Sequence, residues 1–95
     1  KGCSADGPLV LDVASDKESV EIKKLTSPVA GDADCLVFPN IESANVFWKT
    51  NSKLAPGVRQ AGMLVGTTAP CILDSRADSV DTKLNSIAEA VMSVK

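Results

Sequence analysis

Residues 70–85 read P-C-I-L-D-S-R-A-D-S-V-D-T-K-L-N. Cys71, Ile72 and Leu73 form a short apolar run, the signature of a strand, and the run ends in a dense polar cluster of Asp74, Ser75, Arg76 and Asp78. The cluster opens a helix whose apolar stripe is Val80, Leu84, Ile87, Ala88, Val91 and Val94. A strand-to-helix turn leaves backbone N–H groups without intrahelical partners and favours anions. Ser75 adds a hydroxyl there, and Arg76 adds a planar fork suited to phosphate or carboxylate. Any chemical site is expected here first.

Working outward from that stretch, residues 61–66 (A-G-M-L-V-G) predict another buried strand. Only the polar loop of residues 66–70 separates it from Cys71, too short for a parallel crossover, so this pair is expected to be antiparallel or to bend into a second sheet. Residues 33–38 carry the uncharged run Cys35-Leu36-Val37-Phe38 and predict the best buried strand of the chain. Pro39 stops it, and Asn40 can cap a helix from Ile41 to about Leu54 with Ile41, Ala44, Phe47, Trp48 and Leu54 apolar. Ala55-Pro56-Gly57 breaks that helix. Near the start, Leu9-Val10-Leu11 predicts a brief strand. A charged surface helix from Ala14 to about Leu25 follows, capped by Ser15 or Asp16 and ended before Pro28. The order β-α-β-α-β-β-α predicts an α/β three-layer sandwich with a mainly parallel sheet. Asn40, Gly66, Thr67 and Thr68 follow apolar strands, where open α/β sheets hold ligands, so they are candidate binding residues; a helix cap and a flexible turn account for them equally well. Phe47 and Trp48 are expected in the core or at a dimer contact, and Lys23, Lys24 and Lys83 on solvated faces.

Ninety-five residues suit one small domain or a piece of a larger one, with a thin core. The net charge of −2, with both signs interspersed, suggests neither nucleic acid nor an anionic membrane as partner. No apolar run approaches the roughly 20 residues of a membrane span. The three cysteines form no C-x-x-C pair, and Cys35 and Cys71 fall in apolar strands, where a thiol acts as a small hydrophobe. That usage fits a reducing cytoplasm and argues against a disulfide framework. With no histidine, neither a Ser-His-Asp or Cys-His centre nor a histidine-ligated metal site can be completed within these residues. Proton transfer here must use a carboxylate, a lysine or water.

Asp74-Ser75-Arg76-Ala77-Asp78-Ser79, followed by Lys83-Leu84-Asn85-Ser86-Ile87-Ala88, resembles the C-terminal end of the phosphate acetyl/butyryltransferases (phosphotransacylases). Asp6-Gly7-Pro8-Leu9, residues 27–34 (S-P-V-A-G-D-A-D) and the Phe38-Pro39-Asn40 turn extend the resemblance over nearly the whole chain. It is closer to the butyryl or branched-chain branch than to the acetyl one. The resemblance implies an isocitrate/isopropylmalate-dehydrogenase-like fold of two α/β subdomains with a cleft between them. Residues 1 to about 74 would belong to the second subdomain, and residues 75–95 to a terminal helix returning to the first. Members are far longer, and this sequence opens Lys1-Gly2-Cys3 without methionine, so it is expected to be a C-terminal portion.

The implied reaction is acyl-CoA plus phosphate giving acyl phosphate plus coenzyme A, by direct thiolate attack in a cytoplasmic homodimer. Coenzyme A is then a substrate, and neither a metal nor a resident cofactor is called for. Ser75 would bond acyl or phosphate oxygens and Arg76 would neutralise phosphate charge. The acetyl branch has an aspartate where Thr82 stands, so the base is left between Asp81 and Asp78, with Asp78 expected nearer Ser75. Both also suit the first turn of a helix, where acidic side chains complement the macrodipole. The alternative is a non-catalytic acyl-CoA-sensing domain of a larger enzyme.

Overall fold

The computed structural model describes residues 2–94. Among the described residues there are four helices: α1 (Leu11–Ser15), α2 (Lys17–Lys23), α3 (Ile41–Leu54) and α4 (Val80–Met92). The chain divides into two compact units, Lys1–Val37 and Phe38–Lys95.

In the first unit the expected strand at residues 9–11 gives way to helix, because Leu11 already belongs to α1 and the Val10 carbonyl accepts from the Ala14 N–H at 3.0 Å. The single charged helix expected next is broken at Asp16. That residue sits in extended backbone and closes α1 by donating its N–H to the Asp12 carbonyl at 2.8 Å. Its carboxylate meanwhile caps α2, accepting from the Ser19 N–H at 2.8 Å and the Ser19 hydroxyl at 2.6 Å. A short side chain that bonds its own neighbourhood here outcompetes continuation of the helix. No residue of α2 is buried, as a charged surface helix requires, and Lys24 ends it in the left-handed region at φ 51°. The core of this unit is Val13 with Ala14. Their carbonyls accept from the N–H groups of Gly31 (2.7 Å) and Ala33 (3.1 Å). Gly31, at φ +74°, approaches so closely that a Cβ would fall 3.0 Å from the Lys17 Cα, so no larger residue fits without movement.

The second unit opens with Asn40, whose side chain accepts from the Ser43 N–H at 2.9 Å and starts α3. Phe47 packs against Phe38 with ring centroids 5.2 Å apart. Trp48 lies along Gly62, 3.5 Å from where that residue's Cβ would stand, and its carbonyl accepts from the Gln60 side chain at 3.2 Å. The chain then turns back on itself through one antiparallel bridge, Leu64 to Cys71, with the Leu64 N–H donating to the Cys71 carbonyl at 2.8 Å.

That bridge is the β pairing found among the described residues, so the expected parallel-sheet sandwich is not formed there. Residues 33–38 make no ladder and Val37 is 92 % exposed; Val65 and Leu73 are likewise exposed. A strand, unlike a helix, satisfies its backbone only through a neighbouring strand, so apolar runs without adjacent partners have nothing to pair with. Cys35 and Cys71, expected to be buried, are exposed as free thiols.

The face of α4 turned toward its own unit is polar and lies away from the apolar stripe. Thr82 and Ser86 are buried, while Val80, Leu84, Ile87 and Val91 are exposed. The accessible surface totals 7740 Å². Two separately compact bodies of the size of these units would together expose only about 6,200 Å². An excess on this scale agrees with the exposure of the α4 stripe and of the unpaired apolar runs, which find no cover among the described residues.

Candidate functional site

Ser79 is the N-cap of α4, its hydroxyl accepting from the Thr82 N–H at 3.1 Å. Ser75 therefore lies ahead of the helix, in a turn of its own, and not at the helix start. The Asp78 N–H closes that turn on the Ser75 carbonyl at 3.0 Å, and the Ala77 N–H donates to Ser75 Oγ at 3.3 Å. Only 3 % of the Asp78 side chain is exposed, yet both its oxygens are satisfied. Oδ2 accepts from the Ser75 N–H at 3.0 Å, and Oδ1 accepts from Lys49 Nζ at 2.8 Å. The hydrogen bond from Lys49, with a smaller one from the Ser75 backbone, holds the Asp78 carboxyl below its ordinary value against the opposing effect of burial. Lys53, one helical turn further along α3, donates to the Ala77 carbonyl at 3.0 Å.

A second anchor sits below the turn. The Ser86 hydroxyl, fully buried on α4, accepts from the Gly62 N–H at 3.0 Å. Its single proton is shared between Asp74 Oδ1 and the Thr82 carbonyl, each 2.9 Å away. A cleft of about 470 Å³ opens beside these groups, with Trp48, Lys49, Leu73, Asp74, Ser75 and Asp78 on its walls.

Of the residues expected to do chemistry, Ser75 and Asp78 share this cleft. Arg76 follows directly in the chain and is exposed; its guanidinium makes no hydrogen bond among the described residues, while its carbonyl accepts from Lys83 Nζ at 3.4 Å. Asp81 is exposed in the first turn of α4. Asp78 does turn back toward Ser75, but it meets the backbone amide and leaves the hydroxyl to Ala77. Gly66, Thr67 and Thr68 line a different cleft of about 570 Å³, near Ser93 and Val94 at the far end of α4. Asn40 lies on neither, and its carbonyl oxygen is spent on the cap of α3.

Lys49 and Lys53 carry no local functional signal in the sequence, and Ser86 stands out there only as part of the family-like stretch of residues 83–88. The i, i+4 spacing of the two lysines was visible, but nothing local ties them to a turn some 25 residues onward. Among the described residues no group of three or more histidine, cysteine, aspartate or glutamate side chains is placed to hold a metal ion, and no helix is long and apolar enough to cross a membrane.

Comparison with known proteins places this arrangement. The family model described as "Phosphate acetyl/butaryl transferase" matches residues 1–91. Phosphate butyryltransferase of Clostridium beijerinckii is 53% identical over 92 residues, which cover 97% of this chain and 30% of that protein. Phosphate acetyltransferase of Thermotoga maritima is 46% identical over 88 residues, covering 93% of this chain and 30% of its own length. The crystal structure of a branched-chain phosphotransacylase from Enterococcus faecalis superposes with a TM-score of 0.76 at 40% identity, covering 90% of this chain and 32% of that one. The chain thus spans about 30% of the length of these curated relatives. Matched from residue 1 through residue 91, and with Ser75-Arg76 held on a braced turn, the chain belongs to the phosphate acetyl/butyryl transferase family.

Proposed function

We propose that the intact protein carrying this segment is a phosphate acyltransferase, exchanging phosphate and coenzyme A on a short acyl group. The observation that carries this reading is the state of Ser75 and Arg76. Ser75 Oγ already accepts a hydrogen bond from Ala77, which leaves its proton to donate to an acyl or phosphate oxygen. The adjacent Arg76 guanidinium is exposed and unengaged among the described residues, ready for a two-pronged contact with phosphate. In the direction of acyl-CoA synthesis, the coenzyme thiolate attacks the acyl carbonyl, the oxyanion forms, and the C–O bond to phosphate breaks. Orientation and stabilisation of that oxyanion supply the rate enhancement, with no covalent enzyme intermediate.

A free thiol with a pKa of about 8.5 must lose its proton first. Asp78 is poorly suited to take it, with both oxygens occupied and its carboxyl held low by Lys49. Asp81, exposed at the head of α4, is the carboxylate we assign to that proton. Gly66, Thr67 and Thr68 would hold part of the coenzyme. A butyryl or branched-chain preference is favoured by the 53% and 50% identities to butyryltransferases, against 46% to an acetyltransferase. We further propose the two-subdomain α/β sandwich for the intact protein, with residues from about 75 onward packing on the first subdomain. The exposed stripe of Val80, Leu84, Ile87 and Val91 supports this. A cytoplasmic homodimer completes the reading.

Thr82 supports the alternative, an acyl-CoA sensor. It is buried and bonded to the Ser79 hydroxyl at 3.0 Å, so no carboxylate stands where the acetyl branch has one. A sensor would bind acyl-CoA without turnover.

The test is Arg76→Gln in the intact protein. Losing a charge-assisted contact costs about 1.5–3 kcal/mol, so kcat/KM should fall at least about tenfold, partly in kcat. Arg76→Lys should restore only part of the loss, since it keeps the charge without the fork. Unchanged kinetics in Arg76→Gln would remove Arg76 from the site. Residues 1–95 alone should show no turnover, because a cleft needs a second wall.

A further inference from the structure

We propose that Lys49 is a positioning residue for the transfer reaction: acting through Asp78, it fixes the turn that presents Ser75 and Arg76. The inference rests on the acyltransferase reading for its consequence, but its geometry stands alone. Asp78 uses one oxygen to hold the Ser75 N–H and the other to hold Lys49 Nζ. The carboxylate is almost entirely buried, at 3 % exposed, and Lys49 on α3 is the cation bonded to it. Removing that cation leaves a buried charge that must protonate or swing toward water; the first weakens and the second breaks its hold on the Ser75 amide. Ser75 Oγ and the start of Arg76 would then drift together, because they belong to the same turn. Lys53 braces the same turn through the Ala77 carbonyl, so one face of α3 grips it twice. Reacting groups need placement within a fraction of an ångström, so a loosened turn weakens the chemical step more than substrate binding.

Lys49 also lines the cleft, with 32 % of its side chain exposed, and a direct contact with substrate phosphate is the competing role. A double-mutant cycle in the intact protein separates the two. Lys49→Met should lower kcat about tenfold or more while KM for phosphate moves little. In an Asp78→Ala background the same change should do almost nothing, since the connection it acts through is already gone. Additive losses, or a raised KM for phosphate with kcat intact, would mean that Lys49 touches substrate and would overturn the proposal. If Lys49→Met fails to fold, Lys53→Met removes only the brace on Ala77; it should lower kcat with KM unchanged, and unaltered kcat would count against the proposal.

Failure of the acyltransferase reading would show differently, as no turnover by the unmodified protein. Amide exchange then decides: the Ser75 and Ala77 N–H groups should exchange about tenfold faster or more in Lys49→Met. Unchanged exchange would overturn the positioning role whatever the reaction.

Discussion

The turn at residues 75–78 and the loop at residues 66–70 follow apolar runs in the same way, and the sequence offers both as ligand sites. The fold treats them differently. The turn is tied to distant residues: Asp78 to Lys49, Ala77 to Lys53, and Asp74 through Ser86 to Gly62. The loop is tied to itself, through the Thr67 hydroxyl donating to the Ala69 carbonyl at 2.7 Å above the Leu64–Cys71 bridge. All its residues are exposed. Chemistry that depends on placement belongs on the first; a ligand that needs an adaptable rim suits the second. The contrast also separates what each can tolerate, and substitutions test it directly.

Ser86→Ala should have the largest effect on stability. It leaves the Gly62 N–H without its acceptor and Asp74 Oδ1 without its donor, in a place with no exposed surface at Ser86. Stranded polar groups cost about 1–3 kcal/mol each, and partial access to water at Gly62 and Asp74 brings the expected total to about 2 kcal/mol. Denaturant unfolding of the intact protein measures it. Thr67→Ala, which removes the loop's own hydrogen bond at an exposed site, should stay within about 0.5 kcal/mol. Equal losses in the two variants would erase the distinction between the regions.

What the sequence discloses about these regions follows from how local each signal is. The bounds of α3 are legible because Asn40 and Ala55-Pro56-Gly57 act on their immediate neighbours. The antiparallel return at Leu64 and Cys71 is legible because five loop residues permit little else. The sheet is not formed among the described residues, since apolar composition at residues 33–38 says nothing about whether a neighbouring strand is present. The face of α4 that its own unit buries is not legible for a related reason. Hydrophobic periodicity identifies the stripe at Val80, Leu84 and Ile87, but Thr82 and Ser86 face their own unit because they have hydrogen-bond partners there. In the site, Ser75, Arg76 and Asp78 are visible as a motif. The Lys49–Asp78 pair spans 29 positions and depends on tertiary placement alone.

A smaller effect, specific to the turn, appears in acid. The Asp78 carboxyl is held below its ordinary value in the folded chain, chiefly by the hydrogen bond from Lys49. Its contribution to stability is therefore complete above the unfolded carboxylate value of about 3.9, and is lost as pH falls through the lower folded value. Lys49 keeps contact with water, so the pair lies between a surface bridge and a buried one, about 1–2 kcal/mol. The stability gap between the unmodified protein and Asp78→Asn should stay constant from pH 7 to about pH 5 and narrow below about pH 4. A gap that widens on acidification would mean that Asp78 is protonated in the native state, and the turn would not be pinned by charge.

Gly66→Ala probes the loop and should have a smaller effect than the changes at the turn. Gly66 lies at φ +85°, where a Cβ is disfavoured by roughly 1–2 kcal/mol. No atom lies within 4 Å of the position that Cβ would take, so collision adds nothing. Alanine also restricts the unfolded chain, returning about 0.4–1 kcal/mol. The net loss should be near 0.5–1 kcal/mol, with the loop free to relax some of it. Gly31→Ala is the matched control. Its φ is similar at +74°, but its Cβ would meet the Lys17 Cα at 3.0 Å and the Lys17 backbone nitrogen at 3.2 Å. It should therefore lose distinctly more stability than Gly66→Ala, because a backbone neighbour cannot give way as a free loop can. If Gly66→Ala proved as damaging as Gly31→Ala, the loop would have to be held in place by contacts beyond its own hydrogen bond. It would then be as constrained as the turn.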